Sequence, residues 1–379
     1  MFKKYFLKFT IYCLPLLPLT STLAQEFKRV SAKDTALVCV GRHVQLANGN
    51  YKYALPGVSI FTSFQGKSLD LLINDWALGD ASHTNYLSVI IDQNTPIVVK
   101  LNPKDTVYTV TKTLADGWHN VQIVKRTEGF VGTLEFMGIR IDKNAQVKKY
   151  QNLPAKKLLF IGNSITCGYG NDTSIAAEPN TGFKAKHEDN YNTYGQITAR
   201  TLNAQYHAFA YSGRGLFKNY DGSTTNTIPQ IINRVIPDEQ TYVWNAKNYQ
   251  PEIIFSNLGT NDFSSEAQNK GYIDSVTFCT KYHEFIANLR KDYPSSKIVL
   301  LVGTMMSDYW PVGARQWTRI QSYTKAVAEQ ENKAGNTNVY FLALTPQNPP
   351  YGDDWHPTVA THQKMANQLV DFIQKNKLF

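Results

Sequence analysis

Four short groups of residues hold side chains that could do chemistry together. They are Gly162-Asn163-Ser164-Ile165-Thr166, Tyr211-Ser212-Gly213-Arg214-Gly215, Gly259-Thr260-Asn261-Asp262 and Asp353-Asp354-Trp355-His356-Pro357. Between them they supply a hydroxyl, an imidazole, carboxylates and several N–H donors, which are the parts of an acyl-transfer site. A serine hydroxyl is a poor nucleophile until a neighbouring base takes its proton. Ser164 is the candidate nucleophile and His356 the candidate base. Asp353, three residues before His356, can hold the ring and stabilise its charged form; Asp354 competes for that role. The tetrahedral intermediate of acyl transfer needs donors aimed at its oxyanion. The Ser164 N–H, the Gly213 N–H and the Asn261 side chain are the candidates, and Gly213 has no Cβ to keep a backbone donor at a distance.

Each group alone has an ordinary structural reading. Ser164 could simply cap a helix, His356 could be a structural histidine, and either aspartate could cap the final helix. Cys167, three residues past Ser164, has no second base to activate it and reads as packing. The weight lies in the joint occurrence of the four groups in this order.

The elements around them explain why they should meet. From residue 151 onward, apolar runs at Lys157–Gly162, Tyr206–Ala210, Ile253–Leu258, Ile298–Gly303 and Val339–Leu344 read as strands buried on both faces. Between them lie helical stripes: Phe278, Tyr282, Phe285 and Leu289; Ile320, Tyr323 and Val327; Met365, Leu369 and Phe372. Pro357 suits the first turn of the last of these. Five β–α alternations imply a parallel sheet flanked by helices. Sites in such sheets lie beyond the carboxyl ends of the strands, where the four groups fall.

Residues 25–150 have a different texture. Runs at Val58–Phe64, Leu69–Ile73, Tyr86–Asp92, Ile97–Lys100, Val107–Thr111, His119–Lys125 and Thr133–Ile141 alternate with glycine and Asp-Gln-Asn turns. No useful helical period appears, so a β-sandwich or jelly roll is expected. Residues 1–24 begin with Lys3, Lys4 and Lys8, continue as an apolar run and end Thr22-Leu23-Ala24, the pattern of a secretory signal peptide. Its two prolines and short apolar run argue against a membrane anchor. The expectation is export to the periplasm or beyond the cell, with no membrane attachment after cleavage.

Formal charge is +9, or +6 without the three leader lysines, and the basic residues are scattered. A nucleic-acid binder concentrates them in a stripe, so no nucleic-acid partner is expected. Cys39, Cys167 and Cys279 remain after the leader; an odd number gives no disulfide framework. No CxxC or HExxH spacing suggests a metal, and no cofactor is expected.

The four groups resemble the blocks of the SGNH (GDSL-like) hydrolase superfamily. The longer stretch Phe160-Ile161-Gly162-Asn163-Ser164-Ile165-Thr166-Cys167-Gly168-Tyr169-Gly170 resembles carbohydrate esterase family 2. So do Ser212–Gly215 followed by Asn219-Tyr220-Asp221, Asp354-Trp355-His356-Pro357, and, in the β-rich half, Gly41-Arg42 and Lys125-Arg126-Thr127-Glu128. Asn163 stands where the superfamily block has aspartate, and members of the family differ in whether an acid orients the histidine, some using a backbone carbonyl; Asp353 stands in the DxxH register here, so a triad is expected. The resemblance covers residues 25–379. It implies an N-terminal jelly roll followed by an SGNH domain with a flavodoxin-like three-layer α/β/α sheet. It also implies an acetylesterase acting on acetylated polysaccharide such as xylan, mannan or glucomannan. It favours Trp355, Trp310 and Tyr220 as a sugar platform, since flat rings pack against pyranose faces; packing at the domain interface is the competing reading. Two other functions stay open: a short-chain acyl esterase acting on bacterial envelope glycans or other esters, and a glycan-binding protein without catalysis. Ser164→Ala is expected to lower kcat on p-nitrophenyl acetate by roughly 10⁶-fold, in line with removing a triad nucleophile; a loss below tenfold would remove Ser164 from the nucleophile position.

Overall fold

The computed structural model describes residues 1–3, 26–174 and 182–379. All but the first three residues of the expected signal peptide, 1–24, therefore lie outside the described residues. No helix among those described is long and apolar enough to cross a membrane.

The N-terminal part is an antiparallel β-sandwich. One sheet orders Val44–Gln45, Tyr51–Tyr53, Leu134–Asp142, Leu69–Asp75 and Val107–Thr111, with Phe27–Ser31 also paired to Leu134–Asp142. The other orders Val147–Lys148, Ser59–Gln65, Trp118–Lys125, Tyr86–Ile91 and Ile97–Lys100, with Val38–Val40 paired to Ser59–Gln65. Alternation puts Leu71, Ile73, Phe136 and Ile139 from the first sheet against Ile60, Phe64, Leu87, Val89 and Ile123 from the second. The seven runs read from sequence all form strands. The strands at Val38–Val40, Val44–Gln45, Tyr51–Tyr53 and Val147–Lys148 escaped, because two or three residues show no measurable period, and Phe27–Ser31 escaped because Lys28 and Arg29 interrupt its apolar alternation.

The C-terminal part is a five-stranded parallel sheet among the described residues, with the strands lying side by side in the order Ala204–Ala210, Lys156–Gly162, Ile253–Ser256, Lys297–Val302, Val339–Ala343. This is the flavodoxin-like 2-1-3-4-5 order. Leu158 and Phe160 pack with Tyr194, Ile197, Met365 and Leu369 on one face. Leu159 and Ile161 pack with Phe278, Tyr282, Phe285, Ile320 and Val327 on the other. These are the helices Tyr194–Thr201 and Val359–Lys375, and Ser275–Asp292 and Gln316–Lys333. Pro357 lies one residue before the N-cap of the last helix, whose Thr358 hydroxyl accepts the Thr361 N–H, so it is not in the first turn.

The two parts share apolar core, and buried polar side chains cross between them. The Arg42 guanidinium donates to the Ile232 and Arg234 carbonyls and lies 4.5 Å over the Phe209 ring. Arg126 donates to the Glu188 carbonyl and pairs with Asp172 and Asp189. Gly41-Arg42 and Lys125–Glu128 thus lie at the junction. The sheet order places its switch point at the strand Lys156–Gly162, which has a neighbour on each side, and the chain leaves that strand directly into Ser164.

Candidate active site

Ser164 opens a one-turn helix, Ser164–Cys167, capped by the Asn163 side chain on the Ile165 N–H. Its Oγ lies 2.8 Å from Nε2 of His356, 192 residues away. The other ring nitrogen of His356, Nδ1, lies 3.0 Å from the Asp353 carbonyl oxygen. A carbonyl can only accept, so Nδ1 carries the hydrogen and Nε2 presents its lone pair to the serine. The ring is also stacked on Tyr169, with centroids 4.1 Å apart. Burial disfavours the imidazolium and pushes the His356 pKa down to about 4, so the ring is neutral near pH 7, the form a general base needs.

The expectation that the Asp353 carboxylate orients His356 is corrected. Asp353 and Trp355 bound a single 3₁₀ turn in which Asp354 and Trp355 have φ of +46° and +59°. That turn points the Asp353 carbonyl, not its side chain, at the ring. The carboxylate instead accepts from Nδ1 of His187 at 2.5 Å, both groups being sealed from solvent. Asp354 is no substitute: its carboxylate accepts the Tyr169 hydroxyl at 2.5 Å. The same turn is tied to the serine loop through Asp353 N–H and the Gly170 carbonyl, 3.0 Å apart. A Cβ on Gly352 would stand 2.1 Å from that carbonyl oxygen, so the two loops approach this closely only with glycine there.

The candidate oxyanion donors sit as follows. The N–H groups of Ser164 and Gly213 have no partner among the described residues. Gly213 has φ +75°, and a Cβ there would meet only Tyr220 at 4.0 Å. The left-handed backbone by itself favours glycine here, and no atom of the described residues crowds the position. The Asn261 amide donates one hydrogen to the Arg214 carbonyl at 2.8 Å and has a second available. Asp262 was overlooked in the sequence beyond its place beside Asn261. Its buried carboxylate accepts the N–H groups of Leu216, Phe217 and Lys218 and so holds the loop that follows Gly213.

Trp355, Trp310 and Tyr220 are 57%, 65% and 54% exposed, so none is buried in the domain junction. Cys167 is buried and free, and its thiol is pushed up by burial, in keeping with packing rather than nucleophilic attack. Among the described residues, the acid and thiol group compact enough to hold a metal is Glu128, Cys167 and Glu188, whose candidate ligand atoms lie within 4.8 Å of one another. The Glu128 carboxylate there already accepts from Ser212.

Two family descriptions match consecutive parts of the chain: "Carbohydrate esterase 2 N-terminal" over residues 39–150 and "GDSL-like Lipase/Acylhydrolase" over residues 158–369. A family two carbohydrate esterase from Clostridium thermocellum, solved in complex with cellohexaose, superposes with TM-score 0.81 at 31% identity, covering 90% of this chain and all of that one. The chain belongs to carbohydrate esterase family 2. It is 32% identical over 343 residues to the cellulase/esterase CelE of Acetivibrio thermocellus, covering 88% of this chain and 39% of that protein. It is 27% identical over 352 residues to an acetylxylan esterase / glucomannan deacetylase of Cellvibrio japonicus, covering 92% and 91%. Family 2 carbohydrate esterases are carboxylic ester hydrolases, and the sandwich-plus-SGNH architecture expected from sequence is the one found.

Two outcomes follow from the His356 geometry. Asp353→Asn leaves the carbonyl in place and is expected to lower kcat by less than about tenfold, whereas an aspartate that orients a triad histidine costs about 10⁴; a loss of that size would return the carboxylate to the mechanism. Because the neutral ring is the active form, kcat/KM is expected to persist as pH is lowered past 6.5 and to fall only as pH drops through about 4. An acid limb near 6.5 would show that His356 is not held this way.

Proposed function

We propose that this chain is an exported serine esterase that removes O-acetyl groups from polysaccharides, xylan and mannan or glucomannan among them. The observation that carries the reading is the contact of Ser164 Oγ with a neutral, buried His356 whose tautomer is set by the Asp353 carbonyl. Ser164 attacks the acetyl carbonyl carbon while Nε2 of His356 accepts its proton. The tetrahedral oxyanion is stabilised by the Ser164 and Gly213 N–H groups and the Asn261 amide. On collapse, the C–O bond to the sugar breaks and His356 returns the proton to the sugar oxygen. Water then attacks the acetyl-enzyme with His356 again as base; the bond from the acetyl carbon to Ser164 Oγ breaks, His356 returns the proton to Oγ, and acetate leaves. No other group is required by this sequence of steps.

The relatives support the substrate class: one is named an acetylxylan esterase / glucomannan deacetylase, and a solved one holds cellohexaose. The exposed rings of Trp355, Trp310 and Tyr220 are suited to stack on pyranose faces. A glycan that carries no acetyl group can lie on the same platform, so non-productive binding of glucan chains is a second property of this reading. The leader read from the sequence supports export to the periplasm or the medium.

Acetate should be released from acetylated xylan and from acetylated glucomannan by the wild type and not by Ser164→Ala. Release from neither polymer, with p-nitrophenyl acetate still cleaved, would keep the chemistry and move the substrate to another acylated glycan.

A further inference from the structure

A second acid cluster lies directly behind the candidate oxyanion donors and is assembled across the domain junction. Glu128 comes from the sandwich, just after its strand Trp118–Lys125. Glu188 and Ser212 come from the α/β part, and all three carboxyl and thiol groups of the set Glu128, Cys167 and Glu188 are buried. One oxygen of the Glu128 carboxylate accepts the Ser212 N–H at 2.7 Å, and the other accepts the Ser212 hydroxyl. One oxygen of Glu188 accepts the Glu128 N–H at 2.9 Å. The remaining oxygen of Glu188, Oε1, is buried with no other hydrogen-bond partner.

Two ionised carboxylates cannot lie this close in a sealed site without a large cost. Every donor directed at Glu128 from Ser212 calls for Glu128 to be the anion. The unpartnered oxygen of Glu188 is then the one placed to carry the proton. We propose that the pair holds one proton, on Glu188, and one negative charge, on Glu128, and that it is a positioning device through which the sandwich fixes the Ser212–Gly213 turn and so aims the Gly213 N–H at the oxyanion. The inference rests on the ester-cleaving role of the site. Glu128 and Glu188 touch no reacting atom; they act through Ser212.

The surrounding groups agree with a single negative charge. Lys125 Nζ donates to the carbonyls of Thr127 and Glu128, at 2.7 and 3.0 Å, so it faces the backbone of the turn rather than the carboxylates. Burial brings its pKa down to about 8, which leaves one cation beside the pair at neutral pH, and Asp75 also acts on it. Burial, with a smaller contribution from the Glu128 charge, pushes Cys167, Tyr169 and Tyr211 up, so all three stay neutral. Arg126 reaches the Glu188 carbonyl but spends its charge on Asp172 and Asp189. Burial and the neighbouring Glu128 charge raise Glu188 well above the usual carboxylate range. The active arrangement is therefore present below the upper ionisation of the pair and is lost as pH rises through it.

The test compares Glu128→Gln, Glu188→Gln and Ser212→Ala with wild type and Ser164→Ala on p-nitrophenyl acetate, alongside binding of cellohexaose. Glu128→Gln is expected to lower kcat by about 10- to 10²-fold, the size of effect a misplaced catalytic donor gives, with KM and cellohexaose affinity unchanged. Glu188→Gln mimics the protonated acid, so it should cost less than Glu128→Gln at pH 7 and move the alkaline fall of activity upward. Ser212→Ala, which removes only the hydroxyl link, should lower kcat by about two- to tenfold and decides the matter if Glu128→Gln does not fold. Unchanged kcat in Glu128→Gln or Ser212→Ala would overturn the inference, as would an alkaline limb that stays in place in Glu188→Gln and so belongs to Lys125. If instead Ser164→Ala keeps its activity, the functional reading itself has failed and this inference with it.

Discussion

A single peptide carbonyl, that of Asp353, decides the chemistry this site can do. It accepts both the backbone N–H and the ring Nδ1–H of His356, each at 3.0 Å. By holding the hydrogen on Nδ1 it leaves Nε2 free for the Ser164 hydroxyl. A carboxylate in the same place would also have stabilised the imidazolium; a carbonyl does so less, and burial already weighs against the charged ring. In the proposed mechanism the charge on His356 must therefore be offset within the site itself, by the oxyanion that forms at the same moment. This makes the placing of the oxyanion donors more consequential than in a site with an acid behind the base. The surrounding structure holds both halves of the arrangement: the left-handed Asp354 and Trp355 and the glycine contact between the 170 and 352 loops fix the His356 turn, and Asp262 holds the loop after Gly213.

The N-terminal sandwich belongs to this arrangement. Its Arg42 and Arg126 dock on carbonyls of the α/β part, and its Glu128 reaches the turn that carries Gly213. Buried charged groups are held only when their hydrogen bonds are met, so separating the two parts would leave Arg42, Arg126, Glu128 and Glu188 stranded. The β-rich half thus holds the Ser212–Gly213 turn as well as being a fold of its own.

The architecture was legible because buried parallel strands and amphipathic helices leave long, clean patterns; Lys156–Gly162 and Ser275–Asp292 are examples. The loops that meet at the strand ends were legible too, since residues that must converge cluster just after each strand. What escaped was direction. The spacing of Asp353 and His356 fits an acid–base pair equally well through side chain or main chain, and only the backbone of the 353–355 turn separates the two. Likewise nothing local marks His187 as the partner of Asp353, 166 residues away, or Glu188 as the partner of Glu128. Glycine at 213 was noticed, but its left-handed dihedral angle carries no mark in the sequence.

The most direct test of the account is covalent. Inactivation with an organophosphonate ester, followed by peptide mass spectrometry across a range of pH, reads the nucleophile and its base together. The account predicts one adduct, on Ser164, formed at a rate that holds from neutral pH down to about 4 and then falls as His356 protonates. An adduct on another residue, or labelling of Ser164 that already fades near pH 6.5, would contradict it.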